Sequence, residues 1–226
     1  MKSVRLYALA ALTAATLACY TDGGSDLVRG GPQDAPPLDH PLGAGLSASP
    51  RRLSADQWRA SLPVIFGNGV DGKPITWVVT PNKPALDVPT TAAAFGEPDY
   101  LTTTAEDLDP SVLYAKFTDD AARSVCFQVR DADLARTDPK TRVLVHDAAL
   151  ADTVASNAGA VNANLRYLKL RFHGVHVTDD GTLEGLRKVF TTSAAGSTAA
   201  TPELKNADGW LAVCVALVTA PEFHVY

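Results

Sequence analysis

The chain has little cysteine and lacks the compact motifs by which many catalytic and cofactor sites are recognised. Its 226 residues include three cysteines, and no C-x-x-C pair is present to indicate a zinc ribbon or a dithiol redox centre. The haem-attachment motif C-x-x-C-H, a G-x-S-x-G nucleophile elbow and a glycine-rich phosphate loop are also missing. We therefore assign no catalytic residue from motifs and expect no cofactor, covalent haem included.

Basic residues are sparse and are not clustered. Lys and Arg together number 20 against 25 for Asp and Glu, which gives a formal net charge of −5. Nucleic-acid binding depends on clustered cations that neutralise phosphates, and attraction to anionic lipid depends on a similar patch. The composition argues against both kinds of partner.

The beginning of the chain has the layout of an export signal. A short basic start and an apolar run over 6–17 precede Ala18 and Cys19, the order typical of a signal peptide with a small residue before its cleavage point. The apolar run is about a dozen residues, shorter than the roughly 20 that a helix needs to span a bilayer. We expect 1–18 to be a removable signal peptide.

The cysteine that ends this segment resembles the lipobox cysteine of bacterial lipoproteins, although Thr16 and Leu17 stand in the reverse of the usual order. The resemblance implies that Cys19 is lipidated and becomes the N-terminus. Because Tyr20 rather than Asp follows it, the resemblance implies an outer-membrane lipoprotein of the cell envelope. Several acyl chains anchor a protein stably. Residues 19–50 are rich in Gly, Pro, Asp and Ser, so we expect a lipidated, disordered tether.

Beyond residue 50, the apolar periodicity predicts a single, mainly all-α domain over 51–226, an irregular bundle of about five helices. The predicted helices cover 54–66, 147–172 and 180–192 and begin at Pro110 and Pro202. Between the helix over 54–66 and the helix that begins at Pro110 lies an insertion, 68–107, with five prolines from 74 to 98. Proline is rare inside regular sheets, so this insertion is expected to be irregular, with one β-hairpin.

Local signals refine three of these helices. Ser54 and Gln57 have the spacing of a capping box. Asp109 is the expected cap of the helix from Pro110, with Asp131 and Asp133 interpreted as loop residues beyond its end. The core-facing stripe of that helix is expected to be Leu113, Phe117, Ala121 and Val125, and the stripe of the 147–172 helix is expected to run from Leu150 to Phe172.

The two cysteines outside the leader have alternative interpretations. In an exported chain, Cys126 and Cys214 would meet an oxidising compartment, where disulfides form and persist. They would then be linked to each other. Alternatively, each is a buried thiol that behaves as a small apolar side chain.

Three segments resemble a second family. They are 51–67 (RRLSADQWRASLPVIFG), 165–190 (LRYLKLRFHGVHVTDDGTLEGLRKVF) and 216–226 (ALVTAPEFHVY). They are similar to the helical domains of planctomycete and myxobacterial cytochrome-c-associated exported proteins, which are domains of unknown function. The resemblance implies a binding or accessory subunit of an envelope complex, with a cytochrome or another redox protein as partner. It carries over no catalytic residue.

His173 and His176 form the most suggestive pair for chemistry. An H-x-x-H pair can bind zinc or copper when further ligands join it, and His146 or His224 could supply one. The alternative hypothesis is therefore a metal-dependent hydrolase or redox accessory enzyme. Histidines at a helix end also commonly interact with its last carbonyls. We favour that interpretation, and hence a non-enzymatic binding role.

Overall fold

The computed structural model describes residues 52–80, 83–109 and 111–224. Within these ranges the protein is an irregular bundle of seven helices with one two-stranded antiparallel sheet. The helices are α1 (Ala55–Phe66), α2 (Pro89–Ala94), α3 (Val112–Ala135), α4 (Val154–His173), α5 (Glu184–Gly196), α6 (Pro202–Thr219) and α7 (Pro221–His224). The mainly all-α class is confirmed. The predictions for the leader, for Cys19 and for the tether lie outside the described residues.

Helix α1 follows the sequence prediction closely. The Ser54 hydroxyl accepts the Gln57 amide at 3.4 Å and the Gln57 side chain accepts the Ser54 amide at 2.9 Å, which completes the capping box. The helix passes through Pro63 and ends at Gly67, whose φ of 71° suits a residue without a Cβ. Its Trp58 side chain is fully buried, so this helix supplies a central part of the core.

The insertion after α1 contains the expected hairpin. Strands β1 (Val78–Thr80) and β2 (Lys83–Pro84) pair antiparallel. Ile75 and Trp77, just before β1, are buried, and the Gln128 side chain of α3 donates a hydrogen bond to the Thr76 carbonyl at 2.9 Å. The insertion is thus attached to the bundle by apolar burial and by a side chain that satisfies its backbone.

Helix α3 differs from the prediction at both of its ends. Its cap is Ser111 rather than Asp109, because the Ser111 hydroxyl accepts the Tyr114 amide at 3.0 Å. It continues to Ala135, so the interpretation of Asp131 and Asp133 as loop residues is wrong. Its buried face is wider than a stripe at every fourth residue and is offset from it: Leu113 is 51% exposed. The buried residues are Tyr114, Thr118, Ala121, Ala122, Val125, Cys126, Val129, Ala132 and Asp133.

Helix α4 starts seven residues later than predicted. Thr153 and Ser156 form a capping box that fixes the start at Val154, and Leu150 lies in the preceding loop. The Asn206 side chain of α6 donates to the Leu150 carbonyl at 2.9 Å and to the Asp152 carbonyl at 3.2 Å, which holds the backbone before α4 in a non-helical path. From residue 161 onward the predicted stripe is buried, and Gly174 ends the helix with φ of 66°.

Helices α3, α5 and α6 pack closely around the second half of the core. A Cβ on Gly209 of α6 would lie 2.8 Å from the Phe190 carbonyl oxygen of α5, so only glycine permits this approach. Cys126 of α3 and Cys214 of α6 are joined in a disulfide, with a Cα–Cα distance of 5.9 Å. Among the residues described, no helix combines the length and the apolar character that crossing a bilayer requires.

The disulfide gives a testable contribution to stability. It links residues 88 positions apart, and closing a loop of that length should stabilise the fold by roughly 4–5 kcal/mol through the unfolded state. Replacing both Cys126 and Cys214 with Ser should lower the free energy of unfolding by about this amount in urea titrations. Thiol titration of the unfolded wild-type chain, without reductant, should find neither cysteine free; two titratable thiols from these positions would contradict the pairing.

Candidate functional site

Five consecutive backbone amides, 143–147, are held by two buried side chains. The first is Asp133 of α3, whose side chain is 2% exposed. Its carboxylate accepts hydrogen bonds from the amides of Val143 at 2.9 Å, Leu144 at 2.6 Å and Val145 at 3.1 Å. A carboxylate is costly to bury unless its oxygens are satisfied. Here they accept three successive amides, and this fixes the path of the loop.

The second side chain is Asn164 of α4, which is fully buried. Its Oδ1 accepts the amides of His146 at 2.8 Å and Asp147 at 2.9 Å, and its Nδ2 donates to the Leu144 carbonyl at 2.6 Å. Together with Asp133, it binds every amide from 143 to 147. The loop is therefore tied to α3 and α4 at once, and its side chains have defined positions.

The charge of Asp133 is balanced by one arginine. Arg136, directly after the end of α3, contacts the carboxylate through Nη1 at 2.9 Å. It donates through Nη2 to the Asn68 carbonyl at 2.7 Å. Its own carbonyl accepts the Arg142 guanidinium at 2.8 Å. The end of α3, the start of the insertion and the approach to the loop meet at this ion pair.

The loop presents His146 and Asp147 beside Tyr167 of α4. The His146 ring stacks on the Tyr167 ring, with centroids 4.3 Å apart and an interplanar angle of 11°. Arg171, one turn further on, donates to the Tyr167 hydroxyl at 3.1 Å. We call His146, Asp147, Tyr167 and Arg171 the His146 surface.

A neighbouring carboxylate orients the His146 ring. His146 Nδ1 lies 2.8 Å from Asp147 Oδ1. An ionised carboxylate only accepts hydrogen bonds, so Nδ1 carries a proton and the contact fixes the orientation of the ring. A hydrogen bond from Lys140, aided by His146, holds the pKa of Asp147 below its usual value. The surface combines an oriented imidazole, an aromatic ring and a guanidinium.

The histidine pair singled out from the sequence does not converge. His173 Nε2 lies 2.8 Å from the Leu217 carbonyl and Nδ1 lies 2.9 Å from Lys169 Nζ, so both ring nitrogens have protein partners. Burial, with a contribution from Lys169, lowers the pKa of His173. His176 lies exposed in the connector after α4. His173 thus contacts a carbonyl near the end of α6, whereas the prediction had it interact with the last carbonyls of its own helix.

His224 is buried in an aromatic cluster. Its ring lies against Trp58, with centroids 5.5 Å apart, and near Tyr114, with centroids 5.9 Å apart. Among the described residues, neither of its nitrogens has a hydrogen-bond partner of good geometry. Burial lowers the pKa of His224 to about 4, so the ring is neutral at physiological pH. Its position is that of an aromatic core residue.

No wider cluster of ligating side chains accompanies these residues. Across 52–80, 83–109 and 111–224, no three His, Cys, Asp or Glu side chains come close enough together to hold a metal ion. Comparisons with models of protein families, with curated proteins and with solved structures found no match. The resemblances to lipoproteins and to cytochrome-associated proteins therefore stay predictions.

Sequence reasoning missed Asp133 and Asn164, although a signal for Asp133 was present. Asp133 follows Cys126 and Val129 at helical spacing, so it falls on the buried face once α3 is extended to Ala135. A carboxylate on an apolar face indicates a structural hydrogen-bond acceptor. Asn164 is adjacent to Leu165 of the predicted stripe, but the loop that it binds has no sequence signature.

Two aspartates on α3 form a matched pair for testing this scaffold. Asp133→Ala should lower the free energy of unfolding by about 3–5 kcal/mol, because it leaves three amides and an arginine without their partner. Asp131→Ala should change it by less than about 0.5 kcal/mol, because the Asp131 side chain is 54% exposed and makes a surface ion pair. Urea denaturation of both variants makes the comparison; equal losses would contradict the assigned role of Asp133.

The burial of His224 predicts a pH dependence of stability. Its folded pKa of about 4 lies below the usual value of about 6.5. As the pH falls from 7 toward 4, His224 therefore becomes protonated in the unfolded chain while it stays largely neutral in the folded chain. The free energy of unfolding should drop over this window by about 3 kcal/mol more in the wild type than in His224→Phe. Urea denaturation at pH 7 and pH 4 measures this difference, and parallel losses would show that the ring is not buried in its neutral form.

Proposed function

We propose that this protein is an exported, lipid-tethered binding or accessory subunit of an envelope protein complex. The observation that supports this role best is the His146 surface, whose loop is fixed through five consecutive amides by Asp133 and Asn164. The proposed tether would hold this domain at the membrane through Cys19. A cytochrome or another redox protein is the partner that the sequence resemblance favours.

A rigid surface of this composition suits protein recognition. Ordering a loop during association reduces affinity, so a surface that is ordered beforehand binds more strongly for the same contacts. Tyrosine and arginine are enriched where interfaces carry most of their binding energy. Tyr167 and Arg171 lie side by side here, and the stacked ring of His146 restricts the movement of the tyrosine.

The disulfide agrees with an exported location. Disulfides persist in oxidising compartments and are rare in the reducing cytosol. Cys126 and Cys214 are both fully buried and bonded to each other. The paired cysteines and the signal-like leader favour the same compartment.

The contacts of His173 favour binding over the metal-dependent alternative. A metal ligand needs an imidazole nitrogen with a free lone pair. The Nε2 atom of His173 must donate to the Leu217 carbonyl, while Nδ1 accepts from Lys169. Binding a metal would break one of these contacts, and the described neighbours offer no ligand set in return.

Capture of partners from solubilised envelopes tests the proposal. A tagged full-length chain should co-purify one or more envelope proteins, and His146→Ala together with Tyr167→Ala should remove them while the fold is retained. His176→Ala is the matched control, since that histidine is exposed and lies outside the His146 surface. Cys19→Ala should move the protein from the membrane fraction to the soluble fraction.

Opposite outcomes would contradict the proposal. If a partner were lost from the His176→Ala variant but still bound by the variant that lacks the His146 and Tyr167 side chains, the interface would lie outside the His146 surface. Stoichiometric zinc or copper in the purified protein, lost with His176→Ala, would favour the enzymatic alternative. Membrane attachment that survives Cys19→Ala would rule out the proposed anchor.

A further inference from the structure

A groove lies where the start of α4, the end of α5 and the start of α6 meet. Its volume is about 300 Å³, at the lower end of the range for small-molecule sites. Phe190, Ala194 and Ala195 are among the residues that line it. The small side chains of these alanines leave a predominantly apolar space that larger residues would fill.

The mouth of the groove favours an anion. The first residues of two long helices border it, Val154 and Ala155 of α4 and Pro202 of α6. Helix starts carry a partial positive charge from their unpaired amides. Among the described residues, the amides of Val154 and Ala155 have no hydrogen-bond acceptor.

A lysine adds to this field. Lys205, half-buried on the first turn of α6, lines the groove and makes no ion pair within the described ranges. Two carboxylates are close along the chain, but neither lines the groove. That of Asp152 accepts the Ala149 amide at 2.8 Å, and Glu203 is exposed on the first turn of α6. Pro202 has no N–H to offer at the start of α6. The mouth therefore combines one unpaired cation with the positive start of α4.

We propose that this groove binds a free medium-chain fatty acid. The hydrocarbon would lie over Phe190 and along Ala194 and Ala195, and the carboxylate would lie at the starts of α4 and α6 beside Lys205. A hydrocarbon needs no hydrogen bonds from an apolar wall. A peptide in the same place would bury backbone N–H and C=O groups without partners, which is costly.

Calorimetric titration of the full-length chain with decanoate tests the assignment. Decanoate should bind saturably at one site, and decanol, which lacks the charge, should bind more weakly. Lys205→Gln should weaken decanoate binding by about two- to fivefold, the modest effect of a solvent-accessible charge. Lys188→Gln is the matched control, because this exposed lysine lies on α5 outside the groove, and it should have no effect.

A blocked groove provides the decisive variant. Ala195→Trp should abolish decanoate binding, and Thr191→Trp should do the same if the first variant fails to fold. Both positions are exposed and line the groove, so circular dichroism should report an unchanged fold. Undiminished binding to the blocked protein, or equal binding of decanol and decanoate, would overturn the proposal.

Two further experiments distinguish a free fatty acid from other occupants of the groove. Decanoate should bind equally to the wild type and to Cys19→Ala. Binding that appears only in Cys19→Ala would mean that an attached acyl chain fills the groove of the wild type. A wild-type dimer that Ala195→Trp converts to a monomer would assign the groove to a second copy. Either result would contradict a free ligand.

Discussion

The buried carboxylate of Asp133 is the interaction on which the arrangement of this fold most depends. It binds the amides of residues 143–145 within the core, and an amide left there without an acceptor would cost about 1–3 kcal/mol. Asn164 extends the same function to residues 146 and 147. The two side chains arise on different helices, α3 and α4, so the loop between them acts as a hydrogen-bonded connection between the helices.

This connection also explains the positions of its neighbours. The amides of 143–147 are committed to side chains, and the Leu150 and Asp152 carbonyls accept the Asn206 side chain of α6. The backbone therefore follows a non-helical path until Thr153 caps α4. Arg136 neutralises the carboxylate and holds the start of the insertion through the Asn68 carbonyl. The disulfide fastens the middle of α3 to α6 independently. Helix α3 is thus the element to which the insertion, the loop and α6 are all attached.

The sequence predicts those parts of the structure that local signals control. The capping box at Ser54 and the apolar stripe of α4 beyond residue 161 are predicted from short-range spacing, and the structure has both. The burial of Asp133 depends on contacts with residues at least 10 positions away. Apolar spacing favours helix for residues 147–153, whereas the side chain that binds the Leu150 and Asp152 carbonyls, Asn206, lies on α6. The His146 surface was not predicted, for the same reason. His146 and Tyr167 are far apart along the chain, and they come into contact only when α3 and α4 are both in place.

Amide hydrogen exchange on residues 143–147 tests the central claim most directly. Exposed loop amides exchange through small local openings, whereas amides bonded inside a core exchange only when a large part of the fold opens. If Asp133 and Asn164 hold this loop as described, all five amides should show protection free energies close to that of global unfolding, equal to those in the middle of α3. Exchange of these amides at the rate of an unprotected loop, while α3 stays protected, would contradict the account.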